Sequence, residues 1–74
     1  MTDFYNKVFK ECEIYLKENT KAFLDRQIEG HLSKTPDKLD HSDKVELAKW
    51  IKISTGLLLK KDVSLKLAEK ILSL

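Results

Sequence analysis

The sequence predicts an all-α fold: a compact bundle of four short amphipathic helices forming one domain over residues 1–74. Three observations predict it. Only two glycines and one proline interrupt 74 residues, so strong helix formers run on with few breakers. Apolar residues recur at helical spacing, with no alternating strand pattern, internal repeat or low-complexity run. Capping residues stand where one periodic segment gives way to the next.

The first helix is expected over about 3–18. Thr2 is a suitable N-cap and Asp3 suits the positive end of the helix dipole. Phe4, Tyr5, Val8, Phe9, Cys12, Tyr15 and Leu16 share an arc of roughly 140° at about 100° per residue. Ile14 is the apolar residue off that face. Continued in phase, the helix brings Arg26 onto the apolar side and turns Leu24 and Ile28 away. The phase therefore slips near Asn19-Thr20, where Thr20 can cap a second helix; one bent, continuous helix is the competing reading.

The second helix, about 20–33, gathers Phe23, Leu24, Ile28, His31 and Leu32 on one side. It stops by Thr35-Pro36, because the residue before proline is steered out of the helical region. A short helical turn follows near 36–39. The third helix, about 43–60, spreads Leu47, Ala48, Trp50, Ile51, Ser54, Thr55, Leu57, Leu58 and Leu59 over an arc of about 200°. That is roughly twice what a helix lying on a small core uses, so the extra width either touches two neighbours or meets another chain. The fourth helix, about 63–73, starts at Asp62 or Ser64 as N-cap and turns Val63, Leu65, Leu67, Ala68, Ile71, Leu72 and Leu74 inward. Its terminal leucine implies a docked C-terminus.

Composition bounds the function. A chain of this size removes only about 60% of its unfolded surface from water, so its core is modest and a staple, a partner or very regular packing is needed. The single cysteine, Cys12, excludes an internal disulfide and fits a reducing compartment. No stretch approaches the roughly 20 apolar residues of a membrane span, and the N-terminus lacks a signal-peptide core. A cytoplasmic protein that does not engage the membrane is expected. Net charge is +2, but residues 1–43 carry seven basic and nine acidic side chains, whereas residues 44–74 carry seven and three. All seven of the latter are lysines. Arg26 is the lone arginine, and bidentate recognition of phosphate or guanine favours arginine.

The stretch DKLDHSD, residues 37–43, is the one segment that looks like a chemical site. A calcium loop needs oxygen ligands at positions 1, 3 and 5, glycine at 6 and glutamate at 12. Starting at Asp37 places Leu39 at position 3; starting at Asp40 places Lys44 at 5, Val45 at 6 and Ile51 at 12. Zinc needs closely paired Cys or His ligands, and Cys12, His31 and His41 are unpaired in sequence. Helix punctuation explains the segment better: Thr35 caps a turn with Pro36 at its first position, Asp40 or Ser42 caps the third helix, and Asp43 favours its positive end. His41 is expected to lie exposed at this joint.

His31 falls inside the apolar arc of the second helix and is expected to be a buried, satisfied histidine, with Gln27 as its partner. A Cys12–His31 nucleophilic dyad lacks an orienting residue and an oxyanion loop. No phosphate-binding or nucleophile-elbow motif is present. No enzyme, metal or cofactor is expected. The wide third helix and the off-face Ile14, Val45 and Ile53, with Trp50 and Leu57, point to an interface. The partner expected there is a second copy, a dimer before any larger homo-oligomer, or another protein. The alternative is a small nucleic-acid or anionic-ligand binder using the strip Lys49, Lys52, Gly56 and Lys60, where the bare glycine lets a partner approach the backbone.

Overall fold

The computed structural model describes all 74 residues. Four α-helices run α1 Asp3–Leu16, α2 Thr20–His31, α3 Lys44–Thr55 and α4 Lys61–Leu72, with single 3-10 turns at Lys17–Asn19, Pro36–Lys38 and His41–Asp43. No residue between Asp3 and His31 leaves a helical turn. The first two helices therefore also count as one sharply bent helix, giving three helical bodies. The radius of gyration is 10.8 Å, beside the roughly 11 Å expected for a domain this long.

The helices close into a ring. α1 packs on α2 and α4, and α3 packs on α2 and α4, the α3–α4 contact being the most extensive. Each helix supplies one stripe to a single core: Phe4, Tyr5, Val8, Cys12 and Leu16 from α1, Leu24 and Ile28 from α2, Leu47, Ala48 and Ile51 from α3, Leu67 and Ile71 from α4. Leu39, in the joint before α3, is buried among them. Leu74 packs against this core, so the end of the chain is docked as its apolar stripe implies.

α1 is capped as expected: the Thr2 hydroxyl accepts from the Tyr5 N–H. The same hydroxyl donates to the Leu39 carbonyl at 2.6 Å, tying the α1 start to the joint. The bend between α1 and α2 sits at Lys17, where φ is 53° and ψ −126°. An L side chain is strained there, and glycine is not. Thr20 does not cap α2. It is fully buried and its hydroxyl donates back to the Lys17 carbonyl at 2.7 Å, bracing the bend from within. The Tyr5 hydroxyl crosses to α2 and donates to Asp25 at 2.6 Å; burial and this bond push the hydroxyl well above its ordinary value. α2 stops at His31, two residues before its expected end. Ser33 takes φ 55° and the Lys34 N–H reaches the Ile28 carbonyl, a left-handed cap that ends the helix ahead of the proline.

The third helix is shorter than its hydrophobic pattern. It ends at Thr55, not near residue 60, and Leu57 and Leu58 lie exposed on the loop to α4. Ending the helix at Thr55 trims the 200° arc to about 160°, and with Trp50 and Ser54 on its edge only half-buried the buried stripe is Leu47, Ala48, Ile51 and Thr55. What ends it is the return of α4. Thr55 and Ser64, both buried, lie 2.8 Å apart, Thr55 Oγ1 is 2.6 Å from the Ile51 carbonyl and Ser64 Oγ 2.7 Å from that of Lys52. With one proton on each hydroxyl, two of these three contacts are hydrogen bonds at any moment, and each group keeps a partner without a charge. Ser64 is thus an inter-helix pin rather than the cap of α4, which starts two residues earlier than its pattern, after an extended Lys60.

Replacing Lys17 with glycine is expected to relieve the bend and raise stability by about 1 kcal/mol. Thermal unfolding followed by circular dichroism should show a Tm rise of roughly 4–8 °C for a chain this size. An unchanged or lower Tm would contradict strain at this residue.

Candidate functional site

DKLDHSD proves to be a joint with every acid occupied locally. Pro36–Lys38 forms the short turn, with Thr35 extended before it. Asp40 Oδ1 accepts from the Ser42 N–H at 2.8 Å, while Asp43 Oδ2 accepts from the Asp40 N–H at 3.1 Å. That is a reciprocal capping box opening the helical run into α3. Lys34 reaches Asp43 Oδ2 at 2.9 Å, binding the end of α2 to the start of α3. His41 is exposed at the joint, its ring centroid 4.7 Å from that of Phe4. No three His, Cys, Asp or Glu side chains lie together in a way that could hold a metal ion.

His31 is not in the core. It is exposed at the end of α2 and stacks flat on Trp50 of α3, ring centroids 3.9 Å apart and planes 6° from parallel. Its position is the last residue of α2, where the helix turns away and the apolar arc no longer faces inward. The Gln27 amide, assigned to it by sequence, instead accepts from the Ser54 hydroxyl at 2.9 Å. Cys12 is fully buried, and burial, with Glu11 alongside, pushes its thiol up to about 12. A thiol so placed is inert.

The feature that remains is a groove on the outer side of α3 and α4. At the hairpin end it widens into an open cleft of about 570 Å³ lined by Ile53, Gly56, Leu57, Lys61, Asp62 and Ser64, together with Lys52 and Leu65. Toward the other end lies a shallower one of about 240 Å³ between Val45, Ala48, Lys49, Ala68, Glu69 and Leu72. Lys52 and Leu65 line both, so the two are one groove. Its floor is made of small residues: Ala48, Gly56, Ser64 and Ala68. Its walls are exposed aliphatics, with Val45 70% and Leu57 86% accessible.

The groove merges two sets that the sequence kept apart. Val45, Ile53 and Leu57 from the expected interface line it together with Lys49, Lys52 and Gly56 from the expected cationic strip. Trp50 does not join them; it is half-buried and turned to His31, with Lys49 Nζ 5.2 Å from its ring. Ile14 is exposed on α1 and lines neither cleft. Lys60 precedes α4 in extended backbone, off the α3 strip, because α3 has already ended. Sequence reasoning missed the α4 wall of Leu65 and Leu72, assigned inward but 45% exposed each. A signal existed. At about 100° per residue these two point together, roughly 110° away from the centre of the Ser64, Leu67, Ala68 and Ile71 stripe.

None of the lysines at the groove is in a salt bridge; the structure's ion pairs are Lys21–Asp25 and Lys34–Asp43. Asp62 Oδ1 accepts from the Val63 N–H at 3.0 Å, so it serves the start of its own helix. No helix is long and apolar enough to cross a membrane. Comparison with family models, curated proteins and solved structures finds no match to this chain.

Two predictions follow from the joint and the thiol. Asp37 and Asp40 are both held below the ordinary aspartate value, the first by the Thr35 hydroxyl, the second by the hydroxyl and then the N–H of Ser42. Such carboxyls bind fewer protons folded than unfolded, so their stabilisation is complete above about pH 3.9 and drains as pH falls through the lower native value. Asp40→Asn, which keeps a capping acceptor, should leave Tm at neutral pH nearly unchanged and flatten the loss of stability below about pH 4. An identical acid limb in urea melts would count against this assignment. Cys12, for its part, should react with DTNB in the native protein only at the rate of unfolding.

Proposed function

We propose that this chain is a non-enzymatic helical interaction module, and that the α3–α4 groove is its docking face. The observation that carries the reading is the continuous run of exposed aliphatic walls over a floor of small residues. Soluble domains scatter single apolar residues over their surface but rarely line up a contiguous groove of them. Small floor residues let another backbone approach closely, which is the geometry of helix-in-groove recognition. The lone buried cysteine supports a reducing compartment such as the cytoplasm as its place of action.

The magnitudes agree with a moderate interaction. The exposed fractions of Val45, Ile53, Leu57, Leu65 and Leu72 amount to about three whole side chains, worth roughly 5–9 kcal/mol when taken from water. Association itself costs roughly 4–15 kcal/mol. The face therefore suits a reversible partner. The nucleic-acid alternative has less behind it: the lysines rim aliphatic walls, the aromatic Trp50 is occupied by His31, and the lone arginine lies on α2.

ANS at low micromolar protein, with perturbed amides mapped by ¹H–¹⁵N spectra, is expected to centre on Ile53, Gly56, Leu57 and Leu65. Leu57→Lys with Leu65→Lys should remove most of the fluorescence gain and change stability by no more than about 0.5 kcal/mol per site, since both side chains are exposed. ANS mapping instead to Ile14 and Tyr15, or to no defined site, would overturn the reading.

A further inference from the structure

Outside the α3–α4 groove the reactive groups are spent on the fold. Tyr5, Asp25 and Lys21 are bonded to one another, His31 is stacked on Trp50, His41 lies against Phe4, and Cys12 is sealed in the core. The feature these contacts do not explain is the bend at Lys17, which holds a lysine at φ 53° and ψ −126°. An L side chain keeps such angles only where the packing around it imposes them.

Nothing in the local sequence asks for the bend. No glycine or proline occurs from Asp3 to Glu29, and every residue from Asp3 to His31 already lies in a helical turn. Opening Lys17 to helical angles therefore makes one continuous helix and removes the strain. The Thr20 hydroxyl keeps its bond to the Lys17 carbonyl, three residues back, as threonine does inside helices. The cost falls on packing. A straight helix over these residues is about 44 Å long, against a longest extent of 29 Å for the bent chain, so α1 is carried off its own core. It takes Phe4, Tyr5, Val8, Cys12 and Leu16 with it, five of the thirteen core residues.

The place that α1 leaves is one that an identical α1 fills. In the straight helix the buried stripe of α1 and that of α2, formed by Thr20, Leu24, Gln27 and Ile28, point about 115° apart. One core cannot receive both. Two cores can, with α2 staying in its own and α1 entering that of a second copy. α1 is linked to the other helices only through the bend, and no ion pair ties it to them. Its polar ties, Thr2 to Leu39 and Tyr5 to Asp25, form equally well between copies.

We propose that Lys17 is the hinge of a domain exchange, through which two copies trade α1 and form a closed dimer with two complete cores. The bent monomer and the exchanged dimer share the same core contacts, so the balance between them is set by the hinge and by concentration. Each dimer relieves two strained residues, and each residue shifts the equilibrium toward it by roughly fivefold or more. The exchange stands apart from the docking-face reading, since α3 and α4 keep their groove in either form.

The test uses the full chain, denatured and then refolded at micromolar and at millimolar concentration. Size exclusion is expected to show monomer from the first and a monomer–dimer mixture from the second. On dilution the dimer should dissociate no faster than the protein unfolds, because α1 must leave a packed core. Lys17 is exposed, so replacing it changes backbone preference and little packing. Lys17→Gly, at ease in the bend and poor in a helix, should lower the dimerisation constant by about thirtyfold or more. Lys17→Ile, whose branched side chain tolerates positive φ badly, should raise it by about tenfold. In a dimer of ¹³C-labelled and unlabelled copies, isotope-filtered spectra should show the Phe4–His41 ring contact, 4.7 Å between centroids, running between copies. A chain that refolds only as monomer at millimolar concentration overturns the exchange. So does a dimer in which Phe4 touches His41 only within one copy, the outcome of simple surface pairing, or one that responds to neither substitution.

Discussion

The return of α4 onto α3 depends on two hydroxyl groups. Thr55 and Ser64 are sealed from solvent and 2.8 Å apart, and each also reaches a carbonyl of α3. A hydroxyl buried without partners costs on the order of 1–3 kcal/mol, so the pair holds only in one register of the two helices. That register sets the rest of the molecule's outer surface. It places Gly56 beside Ser64, with a Cβ at Gly56 falling 3.9 Å from the Ser64 oxygen. It also aligns Ala48 with Ala68 farther along. The small residues then form a floor, and the larger ones on either side become walls.

Chain length is the second constraint. Four helices of 12 to 14 residues in a closed ring each turn one stripe inward and leave their outer sides uncovered. α1 and α2 meet this by keeping their outer sides mostly polar, with Ile14 and Tyr15 as exceptions. α3 and α4 do not. Their outer stripes carry five aliphatic residues mixed with lysines and two acids. The joint before α3 works in the opposite sense, spending charge on internal order: the Asp40–Asp43 capping box, the Lys34 bridge and the Thr2 bond to Leu39 hold residues 34–43 against the start of α1. Acids that look like ligands in the sequence are thereby committed to backbone.

Legibility in the sequence followed the locality of each interaction. Caps are decided within four residues, so, although Thr35 sits before its turn without a side-chain capping bond, Thr2 and the Asp40 cap were readable, as was most of the core face of α1. The end of α3 was not, because three leucines follow Gly56 and hydrophobicity alone does not distinguish a helix that continues from a loop that exposes them. His31 failed for a related reason. A helical wheel assumes the neighbour lies along the whole helix, and at the last turn of α2 the inward direction belongs to Trp50, which is itself near the surface. Thr20 and Ser64 read as caps because Ser and Thr favour caps; burial converted both into braces between elements.

By itself the sequence determined the helical class, the order of the helical segments, the joint and most of the core, since these depend on periodicity and on contacts a few residues apart. It also placed Val45 and Ile53 off the apolar face, Leu57 at a candidate interface and the lysines in a strip of their own. Only the tertiary structure decided that these two sets share one groove, that α4 supplies its opposite wall, and that Trp50, Ile14 and Lys60 stand outside it. The physical reason is that a groove between helices is a property of their relative rotation. That rotation is set by contacts nine and twelve residues apart, Thr55 with Ser64 and Ser64 with the Lys52 carbonyl, whose meeting no local pattern records.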